Sequence, residues 1–212
     1  DDEMGRTNGM KIVVVGAGVV GSSLAFRLAQ AGQQVTLVDR AHPAYGTTGS
    51  SFAWINASTK TPEDYFALNV AGMVAHRSLR DELGEAPWLH EGGNLVWVDD
   101  ENAPELESRA ARLRRWGYPV EDLGRRQMES LEPNVRFEPY IDQAVLFPTE
   151  AWIEGPRIAA RMCELAAEHG AELRFAHQVT GMTRDGDHIS GVVLANGEMI
   201  VADLVMNCAG PS

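Results

Sequence analysis

The stretch Lys11-Ile12-Val13-Val14-Val15-Gly16-Ala17-Gly18-Val19-Val20-Gly21 decides the fold of this 212-residue chain. Its first half is rich in β-branched residues, the composition of a parallel strand buried on both faces. Its second half is Gly-x-Gly-x-x-Gly, set where a strand turns into a helix, and that context makes a weak pattern specific. Gly16 permits the tight turn, Gly18 lets backbone approach a pyrophosphate, and Gly21 lets helix and strand pack closely. Val19 lies inside the fingerprint, where N–H groups and the helix dipole stabilise an anion. Downstream, Leu24, Leu28 and Ala31 share a helical face, and Gly32 falls at the helix C-terminus. Val35–Val38 is a second strand, ended by Asp39, 18 residues after Gly21. A carboxylate there accepts hydrogen bonds from ribose hydroxyls and repels a 2′-phosphate. Strand, glycines, helix, strand and acid in this order make a dinucleotide-binding βαβ unit. The alternative is a glycine-rich turn in an unrelated α/β protein.

Composition narrows the class. Lys and Arg total 18 against 30 Asp and Glu, a net charge of −12. Hydrophobic residues make up 44% and charged residues 23% of the chain, as in a globular protein able to bury a sizeable core. The acidic balance argues against a nucleic-acid partner, since phosphate binding needs clustered cations. No apolar run reaches the roughly 18–20 residues of a membrane helix, so no transmembrane segment is expected. The acidic start Asp1-Asp2-Glu3 has the wrong sign for a targeting segment. Cys163 and Cys208 read as two buried thiols of a reduced, cytoplasmic protein. The six histidines show no metal-ligand spacing, and no metal is expected. No nucleophile elbow, P-loop or zinc-protease motif is present.

Residues 1–9 are expected to be a disordered or appended terminus, with Met4 and Met10 both possible starts. Residues 41–61 read as a loop. Thr61-Pro62-Glu63-Asp64 reads as a helix start, with Thr61 as N-cap, and that helix runs to Leu83 with Gly84 ending it. Asn94–Val98 is a strand, and Pro104 opens a helix with Leu106, Ala110 and Leu113 on one face. Arg109, Arg112, Arg114 and Arg115 on that helix read as a solvated face, with an anion site as the alternative. Gly155-Pro156 opens a helix striped by Ile158, Met162 and Leu165 and ending near Gly170. A strand at Glu172–Phe175 follows, then a meander whose strands Val179–Arg184 and His188–Leu194 flank Asp185-Gly186-Asp187. Asn196-Gly197 makes a second turn, and Asp203–Asn207 reads as a buried strand leading into Cys208-Ala209-Gly210.

An NAD domain would continue from Asp39 into another crossover helix and a third parallel strand. This chain instead enters Tyr45-Gly46-Thr47-Thr48-Gly49-Ser50-Ser51-Phe52-Ala53-Trp54-Ile55-Asn56, and the sheet of this βαβ unit resumes only after the crossover helix that opens at Gly155. That order resembles the D-amino-acid-oxidase-like family of FAD-dependent oxidoreductases, of the glycine oxidase and sarcosine oxidase type. The resemblance runs from Lys11 to Ser212. It is carried by the fingerprint, Gly46–Asn56, Gly155-Pro156-Arg157 and Asn207-Cys208-Ala209-Gly210, with Glu91–Leu95 and Leu131-Glu132-Pro133-Asn134 as further landmarks.

The resemblance implies an α/β fold: a Rossmann-like FAD-binding domain with an inserted α+β substrate domain, incomplete at the C-terminus. Residues 10–57 and 150–212 would form the FAD-binding domain and 58–149 part of the substrate-binding domain. Gly16, Gly18 and Gly21 would hold the FAD diphosphate, with Asp39 on the adenosine ribose and Arg40 beside it. Thr47, Thr48 and Ser50 would bond the diphosphate or ribityl chain. Ser51, Ala53 and Trp54 would run along the flavin ring. Val179 would contact adenine through its backbone, and Gly210 would lie near the diphosphate. Ordinary structural roles stand as alternatives: a polar loop for Thr47–Ser51, and core positions for Val179 and Trp54. Some relatives attach flavin to a histidine in the loop that here reads Ser50-Ser51-Phe52-Ala53, so attachment at that point is excluded.

The implied activity is oxidation of a C–N bond in an amino acid or secondary amine, giving an imine that hydrolyses. The alternatives are a flavoenzyme of the same fold acting on a 2-hydroxy acid or polyol phosphate, an NAD-linked dehydrogenase, and a nucleotide-binding subunit with no activity of its own. Family members are longer, and their substrate-carboxylate contacts lie mostly beyond the matched part. No catalytic acid or base is therefore assigned. A missing C-terminal half, as a continuation or a second chain, is expected as partner.

Overall fold

The computed structural model describes residues 9–83 and 87–211. The expectations placed on residues 1–8 and on Gly84 lie outside the described residues. The chain opens with β1 (Lys11–Val15), α1 (Val19–Gln30), β2 (Gln34–Val38) and the one-turn α2 (Thr47–Ser50). Next come β3 (Trp54–Ile55), α3 (Glu63–Leu83), β4 (Leu89–Glu91), β5 (Asn94–Val96), α4 (Ala103–Arg115) and β6 (Glu121–Gly124). They are followed by α5 (Arg125–Leu131), β7 (Gln143–Phe147) and β8 (Ala151–Ile153). The last third holds α6 (Gly155–Glu168), β9 (Glu172–Arg174), β10 (Val179–Asp185), β11 (His188–Leu194), β12 (Met199–Val201) and β13 (Leu204–Asn207). Two compact units result: residues to Ala53 together with those from Glu154, and Trp54–Ile153.

In the first unit β1 is central in a parallel sheet of order β13-β1-β2-β9. Its Ile12, Val13 and Val14 are buried, as a doubly covered strand requires. The buried face of α1 is Gly21, Ser22, Ala25, Phe26 and Ala29. Leu24 and Leu28 are only half-buried and Ala31 is exposed, so the expected apolar face is displaced. Small residues win that face because they let α1 lie close to α6, whose buried stripe includes Ile158, Ala159, Met162 and Leu165. Both helices end in a left-handed glycine. After α1, Gly32 donates to the Ala29 carbonyl and Gln33 to that of Leu28, and Gly170 and Ala171 repeat the pattern after α6.

The antiparallel sheet β10-β11-β12 packs on the parallel sheet through a shared core of Val13, Val38, Val192, Leu194 and Ala202. Gly186, at φ +58°, turns the first hairpin, and Asn196 caps the second turn by accepting from the Glu198 N–H. The strand expected at Asp203–Asn207 begins at Leu204 and is an edge strand, with Leu204 40% exposed. Asp203 is taken out of the strand because its carboxylate and N–H both bond the backbone of Lys11. Cys163 is buried while Cys208 is only half-buried, and both are free thiols.

The second unit carries two three-stranded antiparallel sheets, β3-β8-β4 and β5-β7-β6. Phe66 and Met73 of α3, Leu106, Ala110 and Leu113 of α4, and Phe147 and Tyr118 form its main core. The loop expected over 41–61 in fact contains α2 and β3, the latter created by pairing with β8 about a hundred residues away. Strand β5 stops at Val96, short of Val98. Helix α3 begins at Glu63, and the Pro62 carbonyl takes the first helical N–H, so the cap position is Pro62 and not Thr61. Three of the four arginines of α4 meet groups of their own unit: Arg109 lies over Phe147, Arg112 over Trp116, and Arg114 pairs with Asp122 at 2.7 Å. Arg125 instead acts as a staple, donating to the carbonyls of Phe137, Glu138 and Ile141.

A buried carboxylate fixes one corner of this unit. Glu150 is fully buried, and its Oε1 accepts from the N–H groups of Ala57 and Ser58 (3.1 and 2.8 Å) and from the Tyr118 hydroxyl (3.2 Å). Burial first, and then the nearby Glu150 charge, push the Tyr118 hydroxyl up to about 12.

Candidate dinucleotide site

The site is built at the carboxyl ends of β1 and β2. Gly16 adopts φ +104°, and a methyl group there would overlap the Cys208 carbonyl oxygen, so the turn after β1 and the segment after β13 touch backbone to backbone. A methyl at Gly21 would overlap the Gly16 carbonyl oxygen. Only glycine satisfies both contacts. Gly18 differs: its nearest obstacle would be a side chain, Thr48 Oγ1, at 3.1 Å. Gly18 is the N-cap of α1 and supplies no side-chain cap, which leaves the first-turn N–H groups beyond Val19 for an anion.

Asp39 ties the turn to the end of β2. Its Oδ2 accepts from Ala17 N–H (2.7 Å) and its Oδ1 from Ala41 N–H (2.8 Å). Each oxygen keeps a lone pair for a ribose hydroxyl. Thr48 Oγ1 accepts from Val19 N–H at 3.0 Å, and its own proton remains to be donated. Gly155 sits against Thr48, since a Cβ there would fall 2.7 Å from the Thr48 carbonyl oxygen. The glycine that opens α6 thus seats the helix carrying Thr47, Thr48 and Ser50. Ser50 Oγ is 3.4 Å from its own helix carbonyls at Gly46 and Thr47. Ser51 Oγ accepts from Ala53 N–H at 3.0 Å and holds Ala53 at φ +51°.

A cleft of about 170 Å³ opens beside the turn. It gathers Gly16, Asp39, Arg40 and Val179 of the expected residues and adds Tyr45, Gly46, His177, Gln178 and Ala209. Ala209 brings the segment after β13 to the cleft, while Gly210 is exposed at φ +73° and does not line it. Trp54 is the first residue of the second unit. His177 had no signal in the sequence. It is placed because Asp39 N–H bonds the Arg174 carbonyl, His177 N–H bonds the Asp39 carbonyl, and Ala176 turns through φ +59°. A positive φ on an alanine leaves no mark in the sequence. The His177 Nδ1–H donates to the Phe175 carbonyl at 2.7 Å.

An open glycine cap, an acid after β2 and a cleft between them fit a dinucleotide whose diphosphate rests on α1 and whose ribose meets Asp39. This defines the class: a Rossmann-type dinucleotide-binding fold. Residues 11–212 match the family described as DAO, FAD dependent oxidoreductase, and the chain belongs to that family; its cofactor is FAD. The chain is 31% identical to glycine oxidase of Pseudomonas aeruginosa, over 94% of this chain and 55% of that protein. It is 25% identical to the anaerobic glycerol-3-phosphate dehydrogenase subunit A1 of Haloferax volcanii, over 94% of this chain and 36% of that protein. In fold it matches the crystal structure of glycine oxidase from Bacillus cereus, with TM-score 0.84 and 19% identity, over 95% of this chain and 55% of that one. The chain therefore spans about half the length of the glycine oxidases it matches. Among the described residues no helix is long and apolar enough to cross a membrane, and no cluster of His, Cys, Asp and Glu could hold a metal ion.

Proposed function

We propose that this chain is the FAD-binding and partial substrate-binding portion of an oxidoreductase acting on the C–N bond of an amino acid or secondary amine. The observation that carries the reading is the 31% identity to a glycine oxidase along 94% of the chain. Bound FAD supplies the two-electron acceptor. The residues of the chain bind and orient it. Gly16, Gly18, Val19 and Gly21 cradle the diphosphate, with Thr47, Thr48 and Ser50 donating from α2. Asp39 and Arg40 meet the adenosine ribose, Val179 the adenine, and Gly210 the diphosphate side. Ser51, Ala53 and Trp54 run toward the flavin. In this reading residues 10–57 and 150–212 form the FAD-binding domain and 58–149 part of the substrate domain. The contact to the substrate carboxylate, an Arg for its planar fork, comes from a continuation or a second chain. The two free thiols support a reducing, cytoplasmic setting.

A second reading, oxidation of a polyol phosphate, is favoured by the 25% identity to the glycerol-3-phosphate dehydrogenase subunit. The two are separated by adding glycine, N-methylglycine or glycerol 3-phosphate to flavin-loaded protein without oxygen. Bleaching of the flavin by an amine supports the first reading. Bleaching by glycerol 3-phosphate alone replaces it with the second.

A further inference from the structure

Backbone holds one wall of the dinucleotide cleft in place. The chain leaving β9 runs beside the end of β2. Asp39 N–H donates to the Arg174 carbonyl (3.0 Å), His177 N–H to the Asp39 carbonyl (2.9 Å), and Ala176 N–H to the Ala41 carbonyl (2.9 Å). Between these bonds Ala176 turns through φ +59°, and the turn brings His177 to the cleft. The imidazole is then fixed in one tautomer. Its Nδ1 lies 2.7 Å from the Phe175 carbonyl, which can only accept, so Nδ1 carries the hydrogen. In the neutral ring the other nitrogen, Nε2, is an acceptor. The ring is half-buried, and among the described residues nothing donates to Nε2.

Order along the cleft says what that acceptor meets. In the reading above, the diphosphate rests at Gly16 and the open end of α1, and the adenosine ribose at Asp39. The base comes next, where His177 and Val179 stand, one backbone hydrogen bond beyond Asp39. Val15, Val38, Val179 and Ala209 give this cleft apolar walls suited to a flat ring, and about 170 Å³ holds a base rather than a whole dinucleotide. The ring nitrogens N1, N3 and N7 of adenine accept, and its N6 amino group is the one donor the base offers. A lone acceptor on the protein therefore has one group to read.

We infer that His177 reads the base of FAD: Nε2 accepts from the adenine N6 amino group and makes the site selective for adenine over a base with a carbonyl at that position. The inference rests on the proposed seat of the adenosine at Asp39 and Val179. Hypoxanthine is the counter-case, with an oxygen in place of the amino group and a proton on N1. It would set two acceptors against each other. A site built to accept a hydrogen bond rejects a ligand that cannot donate one, because its own group is left unpaired.

The test is a competition. Protein depleted of flavin is reconstituted with an excess of an equimolar mixture of FAD and flavin hypoxanthine dinucleotide. The two flavins retained at equilibrium are released and separated by chromatography. Wild-type protein should hold FAD in about tenfold preference, the worth of one hydrogen bond kept against one lost. Two variants divide the functions of the ring. His177→Asn keeps an N–H near the place of Nδ1, able to bond the Phe175 carbonyl and hold the turn, and removes Nε2. Its preference should fall to about twofold or less, while the melting temperature of the flavin-loaded protein holds. His177→Gln returns an acceptor near the place of Nε2 and should keep more of the preference than His177→Asn. Equal preference in wild type and His177→Asn, or no preference in the wild type, would overturn the inference. So would a His177→Asn protein that binds both dinucleotides more weakly by the same factor, which would put the ring on a ribose hydroxyl or in a purely structural role. The seat of the adenosine is tested separately. If Asp39→Ala leaves FAD affinity unchanged, that seat and the inference fall together, whereas a weakened Asp39→Ala with an unaltered base preference in His177→Asn removes only the role of His177.

Discussion

The two units hold backbone against backbone by opposite means. In the first, close approach is achieved by leaving side chains out: Gly16 against Cys208, Gly21 against the Gly16 carbonyl, Gly155 against Thr48. In the second, a side chain is put in. Glu150 reaches a corner of the chain more than ninety residues earlier and satisfies two N–H groups and a phenol with one oxygen. The first device fails through added volume, and the second through a lost acceptor. A glycine contact tolerates nothing larger, whereas a buried carboxylate tolerates any replacement that keeps an acceptor in place.

The largest effect should come from Gly21→Val. The added carbons have no free volume on the side of the Gly16 carbonyl, and overpacking of rigid backbone costs about 1–3 kcal/mol or more. We expect little folded, flavin-loaded protein, read as the ratio of flavin to protein absorbance after purification. Gly18→Ala is the control that sharpens the contrast. Its new methyl meets only the Thr48 hydroxyl, so the melting temperature should hold while flavin retention falls.

Glu150→Ala should come next. It strands two buried N–H donors and the Tyr118 hydroxyl, at about 1–3 kcal/mol for each group left unsatisfied. Urea unfolding followed by tryptophan fluorescence should show the loss, and Glu150→Gln should recover more than half of it. Equal losses in the two variants would mean that charge, and not the acceptor, holds the corner.

Asp39→Ala should be milder. It removes the acceptor of the Ala17 and Ala41 N–H groups together with the proposed ribose contact. We expect flavin affinity to fall by about 1–3 kcal/mol by equilibrium dialysis. An unchanged dissociation constant would take Asp39 out of the site.

The smallest effect is silent at neutral pH. Burial pushes the Cys163 thiol of the first unit from 9.0 up to about 12, as it does the Tyr118 hydroxyl of the second from 10.0. For both groups the folded state holds the proton more tightly than the unfolded chain. Their stabilising contribution is complete below pH 9 for Cys163 and below pH 10 for Tyr118, and it is lost as pH rises toward 12. Cys163→Ala should flatten the alkaline loss that begins near pH 9, and Tyr118→Phe the part that begins near pH 10. Both are measured by thermal melts across that range.

The contrast between the units also explains what could be read in advance. Gly18, Gly21, Gly32, Gly170 and Asp39 act within a turn or two of their own position, or at the fixed spacing of a βαβ unit, whereas the Gly16 contact with Cys208 is long-range. Their positions follow from local geometry, and the sequence by itself determined them: a parallel sheet, a helix N-terminus with no side-chain cap, and an acid after β2. The α4 stripe of Leu106, Ala110 and Leu113 was legible for the same reason, since helical periodicity is local.

Other features depend on partners far along the chain. Strand β3 exists because β8 pairs with it, and β13 is an edge because nothing among the described residues pairs on its far side. His177 enters the cleft through backbone bonds to Asp39 and the left-handed turn at Ala176. Glu150 is buried and Trp152 half-exposed, the reverse of what their polarity suggests, because burial is set by which strands meet. Tertiary structure alone decided these: a hydrogen bond or ring stack between residues tens of positions apart has no period for the sequence to display, and only the closing of the sheets brings its two halves together.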